Sequence, residues 1–129
     1  MSTNIDLIKK FYNSFKAHDG KYLQMCTDDI EWIIMKSAPN GGTHIGKKAI
    51  FEEYFPDLFS KFIEFHAIPD EFLDAGDKVV VLGKYQMTSK KLKKKFESSF
   101  SHVYTIKNGK IAKFVQYADT KQILDATIN

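Results

Sequence analysis

Apolar residues in the first half of the chain recur at helical spacing. The first stripe predicts an amphipathic helix that begins with Ser2 or Thr3 as its cap and ends at Gly20. A second stripe, from Lys47 to Phe62, predicts a longer helix with a kink at Pro56, because proline lacks the amide hydrogen that a helix interior needs. The members of the first stripe are Ile5, Ile8, Phe11, Tyr12 and Phe15.

Between these two helices the pattern is mixed. Tyr22, Leu23 and Cys26 indicate a short second helix, and residues 30–35 are rich in β-branched side chains and predict a strand. Residues 37–43 contain a proline and paired glycines, so we expect them to form a loop.

The second half of the chain changes to strand periodicity. Asn108-Gly109 between two β-rich runs predicts a tight antiparallel hairpin, and Asp119-Thr120 is expected to cap a last short helix. Helices followed by long hairpins favour an α+β fold in which helices cover one face of a curved antiparallel sheet. The four predicted strands are Ile63 to Leu73, Lys78 to Thr88, Phe96 to Lys107 and Lys110 to Ala118.

Length and composition indicate one globular unit. With 129 residues, 43% hydrophobic content, 11 Phe and 6 Tyr, the chain has the size and the apolar content for one aromatic-rich core, and we expect residues 1–129 to form a single domain. Cys26 is the single cysteine, which excludes an internal disulfide and predicts a buried filler. The sequence shows neither a signal-peptide pattern nor a long apolar run, so we expect a cytoplasmic protein that has no membrane partner.

The charge pattern is dominated by one cluster. The formal net charge is +3, and much of the excess lies in Lys90 to Lys95, which we interpret as a solvated hairpin tip. A nucleic-acid-binding protein usually spreads its basic residues over a face, so no nucleic-acid partner is expected.

Several stretches resemble the nuclear-transport-factor-2-like superfamily, and within it the SnoaL-like or ketosteroid-isomerase-related proteins. The resemblance implies a cone-shaped curved sheet wrapped around N-terminal helices, also described as a cystatin-like roll, with an apolar pocket. It is carried by Ile8-Lys9-Lys10-Phe11-Tyr12, Asp28-Asp29-Ile30-Glu31-Trp32, Gly41-Gly42-Thr43-His44-Ile45-Gly46-Lys47, Gly76-Asp77-Lys78-Val79-Val80-Val81-Leu82-Gly83 and Asn108-Gly109-Lys110-Ile111.

The catalytic positions of the related enzymes are altered in this chain. Alignment places the isomerases' base at Ile34, their acid at Ser101 and their helix-one tyrosine at Phe11. The cyclases' aspartate position falls in Phe114-Val115-Gln116, and Gln116 can bind a carbonyl or a hydroxyl but cannot act as a general acid or base.

The resemblance also implies which residues face the cavity. For the aromatic members, the alternative is a filled core that leaves no cavity, since protein interiors are closely packed. The implied ligand-binding set is Phe11, Phe15, Trp32, Ile34, Leu82, Lys84, Ser101, Val103, Phe114, Gln116 and Ala118.

Two residues are weak catalytic candidates. Lys84 is the one strongly ionisable side chain among the positions that face inward in the superfamily. It would pair with an anionic or carbonyl group of the ligand. The alternative is that its side chain reaches outward to solvent. Asp119 stands where the last strand becomes a helix, so helix capping competes with a catalytic role. The histidines lack the spacing of a zinc motif, and neither a metal nor another cofactor is expected.

Strand alternation places His102 on the outer face of the sheet. This outer face is predicted to be apolar and to form a twofold homodimer. Its other members are Phe100, Tyr104, Val115, Tyr117, Val79 and Val81.

Two functions follow from these observations. The first is a small-molecule-binding protein whose ligand is mostly apolar with one or two oxygen functions; it could be an isomerase, cyclase or hydratase without a cofactor. The alternative is a non-catalytic module that binds a protein or a polyanion through the sheet face and the Lys90 to Lys95 tip, and this binding would weaken steeply with salt.

Overall fold

Helices dominate the first half of the chain and long strands the second half. The computed structural model describes residues 3–127, so Ser2, one of the two predicted cap residues, lies outside the described residues. Three α-helices and six strands are present in the described part. They are α1 (Thr3–Ala17), β1 (Cys26–Ile34), β2 (Gly42–Ile45), α2 (Phe55–Phe59), β3 (Phe62–Ala75), β4 (Lys78–Ser89), β5 (Lys95–Lys107), β6 (Lys110–Ala118) and α3 (Thr120–Thr127).

The six strands form one curved, unclosed sheet in the order β2-β1-β6-β5-β4-β3. All neighbours are antiparallel except β1 and β6, which run parallel, so the sheet is mixed. The predicted α+β cone-like fold is confirmed, and the four strands expected to pair antiparallel do so. Asn108 and Gly109 connect β5 to β6 with φ of 51° and 77°, the positive values that a two-residue hairpin turn requires.

The sequence prediction differs from the structure in the region between α1 and β3. A 3₁₀ helix (Lys21–Met25) follows Gly20, and β1 begins at Cys26 rather than at Ile30. Part of the predicted loop pairs with β1 as strand β2. The predicted long helix is a π-helical segment (Lys48–Tyr54) that continues into α2, which has Pro56 in its first turn, where the missing amide hydrogen is tolerated.

The core lies between the concave face of the sheet and the helices. Helix α1 buries Ile8, Phe11 and Ser14, which share one stripe of the helix. From the sheet side, alternate residues of β4 and β5 enter the core because neighbouring side chains of a strand point to opposite faces. These core residues are Val79, Val81, Tyr85, Met87, Ser98, Phe100, His102, Tyr104 and Ile106.

A close approach between strands occurs at Gly83. Strands β3 and β4 shift register between Pro69 and Glu71, opposite Gly83, which is the mark of a β-bulge. A side chain at Gly83 would meet the carbonyl oxygen of Ile68 and the ring of Phe100. Glycine at this position therefore allows the sheet to bend next to the concave face.

No helix within residues 3–127 is long and apolar enough to cross a membrane.

Candidate functional site

A cavity of about 780 Å³ lies between the concave face of the sheet and the helical layer. Its wall is mainly aromatic, and the rings contact one another closely. Trp32 of β1 stacks on Phe114 of β6 with ring centroids 3.8 Å apart, and Phe15 of α1 lies 4.7 Å from Phe55 of α2. The other inner wall residues are Phe11, Tyr12, Tyr54, Leu58, Phe59, Phe62, Phe65, Tyr85, His102, Tyr104 and Gln116.

The mouth of the cavity lies where the end of α1 faces the start of β3. Lys16 and His18 line it from the helix side, and Ile63 and His66 line it from the strand side. All four are exposed, and the Ile63 side chain retains 58% of its accessible surface. An apolar cavity thus opens at a rim that carries basic groups.

A buried series of hydrogen bonds crosses one wall of the cavity. The Tyr12 hydroxyl lies 2.6 Å from His102 Nδ1, and the Tyr85 hydroxyl lies 2.6 Å from His102 Nε2. Tyr85 also donates to Gln116 Oε1 at 2.6 Å. His102 and Gln116 are neighbours across β5 and β6, so the sheet register itself brings these groups together.

The proton positions in this series follow from the donor on Tyr85. Its single hydroxyl hydrogen is used on Gln116, so His102 Nε2 carries the hydrogen and donates it to the Tyr85 oxygen. Nδ1 of His102 is then the acceptor, and it receives the hydrogen of Tyr12. The imidazole is thereby held as a neutral ring between two tyrosines.

Burial keeps the whole series uncharged. Loss of hydration lowers the pKa of His102 well below its ordinary value, and it raises the pKa values of Tyr12, Tyr85 and Tyr104 well above theirs. The His102 ring also stacks on Phe100 at 3.8 Å, which leaves no space for water on that face. The cavity wall therefore offers neutral donors and acceptors rather than charges.

The folded protein is expected to lose stability as the pH falls below about 6.5, the ordinary histidine pKa. Unfolded His102 binds a proton in this range, whereas folded His102 does not, so the contribution of His102 to the free energy of unfolding falls by up to about 1.4 kcal/mol per pH unit. Urea unfolding at several pH values measures this slope. An equal slope in a His102→Asn variant would contradict the assignment.

Two donors in the cavity have no partner in the protein. The Tyr54 hydroxyl and the Gln116 amide nitrogen make no hydrogen bond within residues 3–127. Tyr54 is 4% exposed and Gln116 is 7% exposed, and burial raises the pKa of Tyr54. The Tyr54 ring is held by His44, 4.7 Å away, whose Nε2 lies 2.9 Å from the carbonyl oxygen of Asn40. These donors could bind a ligand acceptor.

The structure brings together five of the residues that the resemblance implied: Phe11, Phe15, Trp32, Phe114 and Gln116 all line the cavity. Two other members of that set, Ile34 and Ala118, belong to the core or pack against it, outside the cavity wall.

The resemblance implied the wrong set of alternate side chains of β4 and β5 as facing the cavity. Four members of the implied set lie on the outer face of the sheet instead, because they alternate along β4 and β5 with the residues that line the cavity. They are Leu82, Lys84, Ser101 and Val103. Conversely, His102 is buried inside rather than outside, together with other residues expected on the outer face. These residues are Phe100, Tyr104, Val79 and Val81.

The two weak catalytic candidates are both outside the cavity. Lys84 is adjacent to Tyr85 in β4, and its side chain takes the opposite face. Asp119 is exposed immediately before α3, where its carboxylate accepts a hydrogen bond from Gln122 Nε2 at 3.0 Å. Its position is that of a helix cap.

Sequence reasoning missed Tyr12, Tyr54 and Tyr85 as wall residues and misplaced His102. A signal was present in β5. The charged residues of this strand, Lys95, Glu97 and Lys107, fall on one face, whereas its large aromatic residues fall on the other face. Charged residues at the ends of a strand mark its solvent face, so they could have set the direction. The tyrosines of β4 and of the π-helical segment carry no comparable mark.

No group of three or more His, Cys, Asp or Glu side chains within the described ranges is arranged to hold a metal ion. Cys26 is buried, and burial raises the pKa of its thiol to about 12, which makes it an unreactive filler.

The open curved sheet folded over helices defines the class of this protein: it has an NTF2-like fold. Two solved NTF2-like proteins each align with a TM-score of 0.91 over 100% of both chains. One, of unknown function, is from Burkholderia pseudomallei and is 24% identical; the other is from Burkholderia thailandensis and is 28% identical. TerC, co-crystallised with polyporic acid, aligns with a TM-score of 0.87 and 25% identity over 99% of this chain and 100% of TerC.

Within this class the family is also defined. The model of the SnoaL-like domain matches residues 8–114, and the chain belongs to the SnoaL-like domain family, as the sequence resemblance indicated. No curated protein sequence gives a significant match.

Proposed function

We propose that the chain binds, in the aromatic cavity, a small and largely apolar molecule that carries a carbonyl-type oxygen. The observation that carries the proposal is the Tyr54 hydroxyl and the Gln116 amide, two donors of the inner wall that make no hydrogen bond within residues 3–127. A ligand oxygen that accepts from either donor would satisfy it once water is excluded, and a hydrocarbon would leave it unsatisfied. The neutral inner wall favours an uncharged ligand, or an acidic ligand whose ionised group stays at the mouth near Lys16 and His18.

The size and chemistry of the cavity support an aromatic ligand. A volume of about 780 Å³ is in the range of small-molecule sites, and the surrounding rings offer edge and face contacts to a flat ligand. TerC, a structural relative, was co-crystallised with polyporic acid. We therefore propose polyporic acid and flat aromatic ketones as the first compounds to test.

Fluorenone and fluorene form a matched pair for this test, because they differ only by a carbonyl in place of a methylene. Fluorenone is expected to bind more tightly, by about 2- to 10-fold for each neutral hydrogen bond it gains. Tyr54→Phe should remove one such factor for fluorenone and leave fluorene unchanged. Affinity is measured by isothermal titration calorimetry or by thermal shift.

Tyr117→Phe is the control, because Tyr117 also loses a hydroxyl but is 50% exposed and lies outside the cavity wall. Equal affinity for fluorenone and fluorene in the unmodified protein would contradict the carbonyl assignment. Failure of both compounds and of polyporic acid to bind would contradict the proposal of an apolar-ligand cavity.

An isomerase, cyclase or hydratase activity would use the series Tyr12, His102 and Tyr85. These hydroxyls and the neutral imidazole are acid and base groups of the inner wall, whereas Lys84 and Asp119 do not line the cavity. Deuterium uptake at the α-carbon of a bound enolisable ketone, followed by NMR, separates a catalyst from a carrier. A Tyr85→Phe variant with unchanged uptake would exclude this series.

We also propose that the outer face of the sheet forms a homodimer, with a composition different from the predicted one. An apolar row crosses five strands in register: Leu73, Val80, Val103, Val115 and Ile33. A twofold pairing would cover this row with the same row of a second copy. Sedimentation equilibrium at micromolar concentration should give twice the chain mass, and Val103→Lys should give a monomer. A monomeric unmodified chain would contradict the proposal.

A further inference from the structure

The connection between β4 and β5 carries the densest charge in the molecule. Lys90, Lys91, Lys93, Lys94 and Lys95, together with Leu92, form what we call the lysine hairpin. All five lysines are exposed, and none of them forms an ion pair within residues 3–127. Five positive charges in six residues create a strong local field.

The lysine hairpin is held in a defined shape. The amide of Lys93 donates to the carbonyl oxygen of Ser89 at 2.9 Å, and the amide of Leu92 donates to the Ser89 hydroxyl at 3.1 Å. Lys93 has a φ of 55°, which turns the chain sharply. The ammonium groups are thus displayed from an ordered turn.

This turn lies beside the mouth of the cavity. The amide of Lys90 donates to the carbonyl oxygen of Lys61 at 3.0 Å, and Ser89 is in register with Phe62. Phe62 and the next residue, Ile63, line the cavity. Two exposed apolar side chains accompany the lysines here: Leu92 retains 47% and Ile63 58% of its accessible surface.

The carboxylates of Glu64 and Glu97 offset part of the charge at the base of the lysine hairpin, since both line the same small surface pocket as Lys95. Glu64 lies 3.7 Å from His66, and Glu97 accepts a hydrogen bond from Gln86 at 2.9 Å. Asp57 pairs with Lys61 at 3.1 Å. At the tip, Lys90, Lys91, Lys93 and Lys94 are exposed and form no ion pair within residues 3–127, so their charge can act on an external partner.

We propose that the lysine hairpin docks the protein on an anionic lipid surface, with Leu92 and Ile63 entering the interface and the cavity mouth facing the lipid. Clustered lysines are attracted to anionic headgroups, and apolar side chains among them add burial at the acyl boundary. Docking with the mouth toward the lipid would allow an apolar ligand to pass between the lipid and the cavity. This transfer rests on the proposed function, whereas the docking itself does not. This peripheral contact departs from the sequence-based expectation, which named no membrane among the partners.

A lipid surface fits these residues better than a nucleic acid does. Exposed Leu92 in the middle of the lysines suits an acyl boundary and would contribute little to a phosphate backbone. The chain contains no arginine, the side chain that most often binds bases bidentately, and no exposed aromatic residue lies in residues 90–95 to stack on a base.

Co-sedimentation with vesicles tests the proposal. The full chain is expected to bind vesicles of phosphatidylcholine with about one-third phosphatidylserine and to leave pure phosphatidylcholine in solution. Binding should be lost at about 1 M salt, where the screening length is only about 3 Å. Lys91→Gln/Lys94→Gln should weaken binding about 25-fold, since each lysine near an anionic surface accounts for about fivefold.

Lys107→Gln/Lys110→Gln is the matched control. It removes the same charge from exposed lysines of the β5–β6 hairpin, at the opposite end of the sheet. We expect this control to change vesicle affinity less than about threefold, because its charges lie beyond the screening length. Leu92→Ser should weaken vesicle binding without changing the salt dependence.

Three results would overturn the docking proposal: no binding to the anionic vesicles, equal losses in the two double variants, or tighter binding to polyuridylate than to vesicles of equal charge. The fluorenone affinity in the absence of vesicles is measured in parallel. Because Lys91 and Lys94 lie outside the cavity wall, this affinity should be unchanged in the lysine hairpin variant, so failure of docking and failure of the proposed function can be distinguished.

Discussion

Replacing His102 with leucine is expected to lower the free energy of unfolding by about 3 kcal/mol or more. The change removes the partner of the Tyr12 hydroxyl and one of the two partners of the Tyr85 hydroxyl, which keeps Gln116. It also removes the ring that stacks on Phe100 at 3.8 Å. Leucine fills a similar volume, so the loss reports the polar contacts rather than a void.

Urea unfolding followed by tryptophan fluorescence measures this loss, since Trp32 is the single tryptophan and is 4% exposed. His66→Leu is the control: His66 is exposed at the mouth, and its replacement should change stability by no more than about 0.5 kcal/mol. If the two variants were equally stable, the hydrogen-bonded series would not contribute to the fold as described.

Gly83→Ala is expected to destabilise the fold by about 2–4 kcal/mol. The added Cβ would overlap the carbonyl oxygen of Ile68, and it would lie 2.7 Å from Cζ of Phe100 and 3.0 Å from Cα of Pro69. Two of these atoms are backbone atoms of the bulged strand β3 and cannot move without breaking the β3–β4 register. Movement of Phe100 would in turn displace the His102 ring.

Gly76→Ala is the matched control for Gly83. Gly76 has a φ of 78° but open space around its Cα, so alanine there should cost only the backbone strain of about 1–2 kcal/mol. A Gly83→Ala variant that unfolds at the same urea concentration as Gly76→Ala would show that β3 can adjust to the side chain. A larger loss at Gly83, with reduced fluorenone affinity, would connect the bulge to the shape of the cavity.

The series Tyr12, His102, Tyr85 and Gln116 links stability to ligand choice. Each hydrogen bond within the protein occupies a donor that could otherwise bind the ligand. The polar groups that remain without a partner are then the ones available to a ligand. Those groups are the Tyr54 hydroxyl and the Gln116 amide nitrogen, which can both donate. On the proposed function, the inner wall would therefore favour a ligand that carries an acceptor.

The region between α1 and β3, which contains β2 and the π-helical segment, was not predicted correctly. Local patterns in the sequence determined α1, the four long strands, the hairpin at Asn108-Gly109, α3 and the family. These features depend on neighbouring residues, whose periodicity and turn preferences act over a few positions. The cavity residues on α1, β1 and β6, including Phe11, Trp32 and Gln116, were also predicted through the resemblance.

Only the tertiary structure decided which face of β4 is inside. In this strand both faces carry apolar residues, Val79 and Val81 on one and Val80 and Leu82 on the other, so alternation by itself left the direction open. The pairing of β5 with β6 and the packing of α1 on the concave face settled it, and they brought Tyr12, Tyr85 and Gln116 around His102. Side chains from four separate elements meet there, and such long-range proximity has no local signal in the chain.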